Sequence, residues 1–417
     1  MGNWKTCTIA DLGMVVGGAT PSTKEAENYD GGTIAWITPK DLAGYSERFI
    51  SHGKRDITET GLHSCSAQMM PRHSVLFSSR APIGYVAIAE NELCTNQGFK
   101  SVVPNENTDY MFLYYLLLNN RQRIEHMGSG TTFKEVSGKT MRSIEVRVPE
   151  SKEEQIRISS ILSTIDDKIE ENERINKNLE EQAVALFRSW FSAFSLSPNS
   201  PRVNSEFGEI PEDFAVVKVG SLPMLVTDYV ANGSFASLKA NVNLYQEPNY
   251  AYFIRNTDLK SGSFGVFVDQ HSYEFLSKST LFGGEIIISN VGDVGSVFLC
   301  PKLDGRMTLG NNIIMLRPED DHLRYYLYVW FKYFQGQALI QGIKGGSAQP
   351  KFNKTDFKNT SVLIPPKDIL TRFHETVAPM FETISQRQAE TSHLADLRDT
   401  LLPQLMSGEI DVSDLDL

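Results

Sequence analysis

Gly138-Lys139-Thr140 is the segment closest to a phosphate site, because Gly-Lys-Thr closes the loop that wraps nucleotide phosphates. That loop needs a further glycine where Phe133 stands, so its backbone N–H groups cannot converge on a phosphate. The eight histidines include no His-Glu-x-x-His pair. No nucleophile elbow, Asn-Pro-Pro-Tyr-like segment or Gly-x-Gly cofactor loop is present. Cys7, Cys65, Cys94 and Cys300 are scattered without a Cys-x-x-Cys pair, which reads as buried thiols in a reducing compartment. The residues offer no catalytic constellation, and no metal or cofactor is expected on this chain.

Two polar, glycine-rich loops stand out instead. The first is Gly128-Ser129-Gly130-Thr131-Thr132-Phe133-Lys134, followed by Lys139. The second is Lys344-Gly345-Gly346-Ser347-Ala348-Gln349-Pro350-Lys351, followed by Lys354. Glycines let backbone N–H groups approach closely, hydroxyls donate and lysines supply charge, which is what a phosphate contact requires. The same composition suits a solvated turn, and its recurrence is what favours a function. A second set is Ser78-Ser79-Arg80 with Asn96, Gln97 and Lys100, matched later by Asn290 with Asn311 and Asn312. Asn and Gln can pair with an adenine edge and Arg with guanine, or all of them can satisfy turn backbones.

These sets recur because the chain repeats itself. Trp36–Leu42 matches Phe253–Leu259, and Val75–Gly84 matches Ile286–Gly295. Asn96–Phe99 corresponds to Gly310–Ile313, Gly130–Thr132 to Gly346–Ala348, and Val148-Pro149 to Ile364-Pro365. The offsets are 217, 211, 214, 216 and 216 residues, a period that fits a duplicated domain rather than a solenoid. In the first copy, β-branched and aromatic runs at 75–77, 85–88, 99–103 and 144–148 alternate with turn residues. A Tyr- and Leu-rich helical stretch interrupts each copy, at 110–126 and 322–340. The expected fold class is α+β, a mixed α/β domain present twice.

After each copy the hydrophobic period becomes that of a coiled coil. One seam runs Ile165, Ile169, Asn172, Asn176, Leu179, Ala183, Leu186, Trp190; the other runs Met380, Ile384, Arg387, Thr391, Leu394, Arg398, Leu401, Leu405. The seams align at an offset of 215, so either helix is expected to be able to substitute for the other. Ser163-x-x-Asp166 reads as a capping box and Pro379 as a first-turn proline, placing helices near 152–162 and 164–194, then 367–377 and 379–406. The expected organisation is a first domain 1–150, spacer helices 151–200, a second domain 201–366, spacer helices 367–411 and an acidic tail 412–417. A helix of about 30 residues spans roughly 45 Å. Two such helices can pair antiparallel and hold the domains apart, although ordinary amphipathic helices packed on their own domains would show a similar stripe.

The net charge of −11 falls mainly on the helical segments: −4 over 150–201 and −6 over 367–417, against 0 over 1–149 and −1 over 202–366. Near-neutral domains can still gather cations on one face. The longest strongly apolar run, Phe112–Leu118, is too short to cross a bilayer.

The pattern closely resembles the specificity subunits of type I restriction-modification systems. It does so in the Trp4…Leu12…Gly17-Gly18-x-Thr20-Pro21-Ser22 opening and in Gly208-Glu209-Ile210-Pro211-Glu212…Val216-Val217. More specific are Glu154-Gln155-x-x-Ile158-x-x-Ile161-Leu162-Ser163-x-Ile165-Asp166 and Leu401-Leu402-Pro403-x-Leu405-x-Ser407-Gly408. Asp368-Ile369-x-x-Arg372-Phe373 departs from the helix signature in the second copy. The resemblance implies a target-recognition domain in each copy, reading one half of a bipartite site in double-stranded DNA. It implies helices that set the gap and dock two methyltransferase subunits, with S-adenosylmethionine and ATP bound by partner subunits that include a motor nuclease. It also implies a cytoplasmic bacterial complex associated with the nucleoid. The alternative is a bidentate protein-interaction scaffold without DNA binding.

The purified chain alone is expected to neither hydrolyse ATP nor cleave or methylate DNA. Turnover that a point substitution in this chain abolishes would contradict that reading.

Overall fold

The computed structural model describes residues 3–80, 82–130, 134–346 and 349–413. They form two compact units, residues 1–170 with 394–417 and residues 171–393.

In the first unit Val75–Phe77 lies near the middle of a five-stranded sheet, ordered Gly13–Gly17, Lys100–Pro104, Val75–Phe77, Val86–Ala89, Phe49–Ile50. Successive side chains of a strand point to opposite faces. Val75 and Phe77 therefore enter one core with Phe112, Tyr115 and Leu116, while Leu76 enters another with Ala87, Ala89 and Phe99. That two-sided burial is why this strand is apolar throughout. The helix Tyr110–Asn119 covers the first face and is capped by Asp109, whose carboxylate accepts from the Phe112 N–H at 2.7 Å.

The second unit rebuilds the plan. Met224–Asp228, Ile313–Pro318, Ile286–Ser289 and Val297–Leu299 make an antiparallel sheet in the corresponding order. Ile286 and Ile288 face one core and Ile287 another. The parallel pair Trp36–Ile37 with Cys94–Thr95 recurs as Phe253–Ile254 with Thr308–Leu309. An antiparallel ribbon closes each copy: Trp4–Thr8 with Glu145–Pro149, and Ala215–Lys218 with Ser361–Ile364.

The long helices are continuous, and here the structure corrects the sequence reading. One runs Lys152–Phe187 and widens into a π turn over Arg188–Ser192; the other runs Lys367–Ser407. Ser163 does not cap anything, because its hydroxyl donates to the Ser160 carbonyl inside the helix. Pro379 sits mid-helix on the exposed side, where the carbonyl it leaves unpaired can face water. The buried stripe also drifts from the expected seam towards the helix ends. Asp166, Phe187 and Phe191 are buried where Ile165, Leu186 and Trp190 are only partly so; Phe381 and Leu402 replace Met380 and Leu401. A straight helix has 3.6 residues per turn rather than 3.5, and the stripe ends against globular cores instead of a second helix. Ile169 and Leu405 are buried as expected, and Leu179, Ile384 and Leu394 are half-buried.

Within each unit the helices run antiparallel, and the polar contacts between them centre on one buried residue, Asp166 in the first and Asn172 in the second. In the first, the Asp166 carboxylate accepts from Arg398 at 2.9 Å and from the Tyr115 hydroxyl at 2.5 Å. Burial alone would lower the Arg398 pKa, but the hydrogen bond and charge of Asp166 outweigh it and raise it. Arg48, 4% exposed, ties the globular part to the helix through Glu170 at 2.8 Å, Asp167, and the Ser163 carbonyl at 3.4 Å. In the second unit Asn172 accepts from Arg387 at 2.6 Å and donates to Glu390 at 2.8 Å.

The second helix ends at Gly408, where φ is +75° and a Cβ would lie 2.7 Å from the Trp4 ring. Glycine is required there on both counts. The expected acidic tail does not begin at 412, since Val412 is buried in the first core; residues 414–417 lie outside the described ones.

Removing one partner of a buried ion pair leaves the other charge uncompensated. Arg398→Ala should therefore cost about 3 kcal/mol in denaturant unfolding. Asp166→Asn combined with Arg398→Leu should recover most of that loss.

Candidate nucleic-acid interface

The two sets of polar residues that lie apart in the sequence are joined into one site in each copy, by main-chain hydrogen bonds. In the first, Ser79 donates its N–H to the Gly98 carbonyl at 2.7 Å, and its own carbonyl accepts from Val136 at 3.0 Å. In the second, Asn290 donates to Asn312 at 3.1 Å and accepts from Phe352 at 3.0 Å. Each glycine-rich loop is closed by a reciprocal pair. Ser129 and Glu135 exchange bonds of 3.0 and 2.9 Å, and Gly345 and Lys351 exchange bonds of 2.8 and 2.9 Å. A short helix follows each loop, capped by Ser137 in one copy and Asn353 in the other. The backbone frame is common; the side chains hung on it differ.

In the first copy Ser78 and Ser79 are fully buried. The Ser78 hydroxyl donates to Pro82 at 2.9 Å and accepts from the Tyr85 N–H at 2.8 Å, and that of Ser79 donates to Gly98 at 3.1 Å. They build the turn and present nothing to solvent. The half-exposed Asn96 also supports the turn, accepting from the Gly98 N–H at 2.9 Å. Gln97 is exposed and accepts from the Thr20 hydroxyl. Arg80 and Lys100 both converge on Glu135, at 3.0 and 3.6 Å. Ser129, Lys134 and Lys139 are exposed, whereas Thr131 and Thr132 lie outside the described residues.

In the second copy Asn290, Asn311, Asn312, Lys351 and Lys354 line one cleft of ≈ 670 Å³. The Asn290 amide donates to the Phe352 carbonyl at 3.3 Å, while its Oδ1 is buried without a partner among the described residues. Asn312 holds φ at +64°, a conformation asparagine tolerates better than most residues. Lys354 is paired with Asp228 at 3.0 Å. Lys344 and Gln349 are exposed but stand outside the cleft lining, and Ser347 lies outside the described residues.

The sequence reading missed the anions. Glu135 falls 216 residues before Lys351, so the change of sign was visible in the alignment, but not that Glu135 neutralises two cations of the other set. Nothing in the sequence signalled Asp228. Among the described residues no group of three or more His, Cys, Asp or Glu is placed to hold a metal ion. No helix among them is long and apolar enough to cross a membrane.

A domain present twice, with one polar site per copy and long helices after each, defines a bipartite recognition protein. The family model of the type I restriction modification DNA specificity domain matches residues 1–181 and 211–390, and this chain belongs to that family. It is 34% identical to the type I restriction enzyme MjaIX specificity subunit of Methanocaldococcus jannaschii, over 99% of this chain and 95% of the other. It is 25% identical to the HindI specificity subunit of Haemophilus influenzae, over 89% of each. The type I restriction-modification S subunit from M. genitalium shares the fold, with a TM-score of 0.56, 17% identity, and coverage of 97% and 96%. The chain is thus a DNA-recognition subunit with two target-recognition domains, and the protein-scaffold alternative finds no support.

If the exposed cations contact phosphates, each sets part of the salt dependence of DNA binding by the assembled complex. Lys351→Gln should lower the slope of log K against log salt by roughly one, and Lys354→Gln should change it least. Glu135→Gln should release Arg80 and Lys100 and steepen the slope, with affinity rising for all sequences alike. A changed base preference at constant slope would assign these side chains to base edges instead.

Proposed function

We propose that each copy reads one half of a bipartite target in double-stranded DNA. The paired helices set the gap and dock two methyltransferase subunits. The chain itself is non-catalytic; S-adenosylmethionine and ATP bind the modification and motor subunits of a cytoplasmic, nucleoid-associated complex. The observation that carries this reading is the recurrence of one stitched backbone site bearing different side chains. Ser79, Gln97 and Glu135 stand in one copy where Asn290, Asn311 and Lys351 stand in the other. A common frame with altered donors and acceptors is what two readers of different words require.

Phosphate contacts position a protein on the duplex, and base-edge contacts give it sequence information. By this division Lys134, Lys139 and Lys351 are the positioning residues. Gln97 in one copy, with Asn290, Asn311 and Asn312 in the other, face base edges, while Arg80 and Lys100, held by Glu135, add to the positioning charge. Thr131, Thr132 and Ser347 belong to the same loops.

The ribbon sets Trp4 opposite Pro149, so residues 4 and 149 are neighbours. Exchanging 1–149 for the equivalent segment of another family member should change one half of the methylated target. The other half and the gap should stay as they were. Mapping methylated adenines in a host carrying the exchange checks this; a change in both halves would mean that the copies read DNA as one element.

A further inference from the structure

The cleft of the second unit has a rim that the two candidate loops do not supply. Asp228 and Gly17 occupy equivalent strand positions, as do Phe253 and Trp36. Phe253 follows Asp228 by 25 residues, but Trp36 follows Gly17 by only 19. The longer segment carries the helix Phe235–Asn241, which is capped by the Ser234 hydroxyl accepting from Ser237 at 3.2 Å. Leu238 anchors that helix in a small core with Phe253, Val266 and Leu276. The helix is thus fixed in place, and its first residue, Phe235, is 80% exposed, more than any other large apolar side chain among the described residues.

Phe235 is not on a bland surface. It lines the same cleft as Asn290, Asn311, Asn312 and Lys351, and Lys239, one turn further along its helix, lines it too. The exposed ring stands beside amides and ammonium groups in a cleft that Val230, Val291 and Ile343 also line. It is well matched to duplex DNA, where amides meet base edges, lysines meet phosphates, and an apolar ring enters between base pairs.

Resting on the reading that this copy faces DNA, we infer that Phe235 is a wedge that partly unstacks one base step in the half-site read by the second copy, with Lys239 on the adjoining phosphate. The first copy, which lacks the six additional residues, reads its half without a wedge. The two halves of the target therefore differ in DNA deformation as well as in base contacts.

The test uses the full chain assembled with its modification subunits, and duplexes carrying the target mapped by methylation. 2-Aminopurine replaces one base at a time across each half. Apart from the methylated adenines, which the modification subunits take out of the stack in either half, the unaltered chain should raise fluorescence at one step of the half read by residues 201–366 and at none of the other half. Phe235→Ala should abolish that rise and weaken binding about tenfold without changing the salt slope, while Phe235→Trp retains both. Lys239→Gln should lower the slope by roughly one and leave the fluorescence rise in place. Since the ring is exposed, the thermal transition of Phe235→Ala should match that of the unaltered chain. Parent-like binding by Phe235→Ala, or no such rise at any step, overturns the inference. So does a Phe235→Ala chain that no longer assembles with the modification subunits, which would make the ring a protein contact. If the unaltered complex binds no DNA, it is the underlying reading that fails.

Discussion

One buried tyrosine in each unit couples the globular fold to the long helices. In the first unit Tyr115, on the apolar helix that covers the sheet, donates to the Asp166 carboxylate at 2.5 Å. In the second, Tyr328 occupies the corresponding helix and donates to the Glu180 carboxylate at 2.5 Å. A carboxylate taken out of water is tolerated only when charge and hydrogen bonds compensate it. Asp166 therefore draws Arg398 from the second helix, and Glu180 draws Lys332 at 2.7 Å. Burial, followed by the neighbouring acid, drives the Tyr115 phenol well above its ordinary pKa, so it remains a donor at any physiological pH. Helix position relative to the sheet is set by directional contacts at these points. Apolar packing around them supplies the larger but less specific part of the stability.

The duplication and its strands were legible because the apolar frame keeps its order. The runs at 75–77, 85–88, 99–103 and 144–148 each fall within a residue of the observed strands. Punctuation was not legible. Ser163 and Pro379 carry the chemistry of helix boundaries, yet in both places the buried stripe continues through them and tertiary packing overrides the local signal. The site was half legible. Hydroxyl and amide residues at matching positions mark loops that the fold brings together, but Ser78 and Ser79 have the composition of a reader and the burial of a strut. Sequence alone cannot separate these roles, since a hydroxyl satisfying a turn carbonyl and one facing a base are the same residue. Phe235 carried no periodic signal at all; only its exposure sets it apart.

The stitched backbone explains how such a site can vary. Its loop closures and loop-to-turn contacts are main-chain hydrogen bonds, which do not depend on side-chain identity. Val291 can therefore replace Arg80, and Lys351 replace Glu135, without dismantling the frame. The charge pattern changes completely in the process. One copy presents two cations held by a carboxylate, and the other presents Lys351 beside three amides. Divergence falls on side chains, on exposed ones such as Gln97 and Lys351 and also on the buried Ser79, whose place Asn290 takes.

The helix seam shows the opposite regime, in which side chains carry the specificity. Asp166 and Phe381 occupy equivalent positions of the two helices, as do Ala183 and Arg398. Asp166 meets Arg398 in a buried ion pair, whereas Ala183 and Phe381 share the apolar core of the second unit. Pairing the first helix with a second copy of itself would set Asp166 against Ala183 and leave a buried carboxylate without its guanidinium. Near the centre, Asn172 and Arg387 are also equivalent, and they bond directly at 2.6 Å. Self-pairing there would replace an amide–guanidinium contact by two amides, losing the charge assistance. The seams that align position by position in sequence are thus complementary to each other rather than to themselves. Either helix could replace the other in shape, but not in the placement of buried charge. A single polar pair at a seam position is enough to select a partner, and among the described residues both Asp166–Arg398 and Asn172–Arg387 can act so.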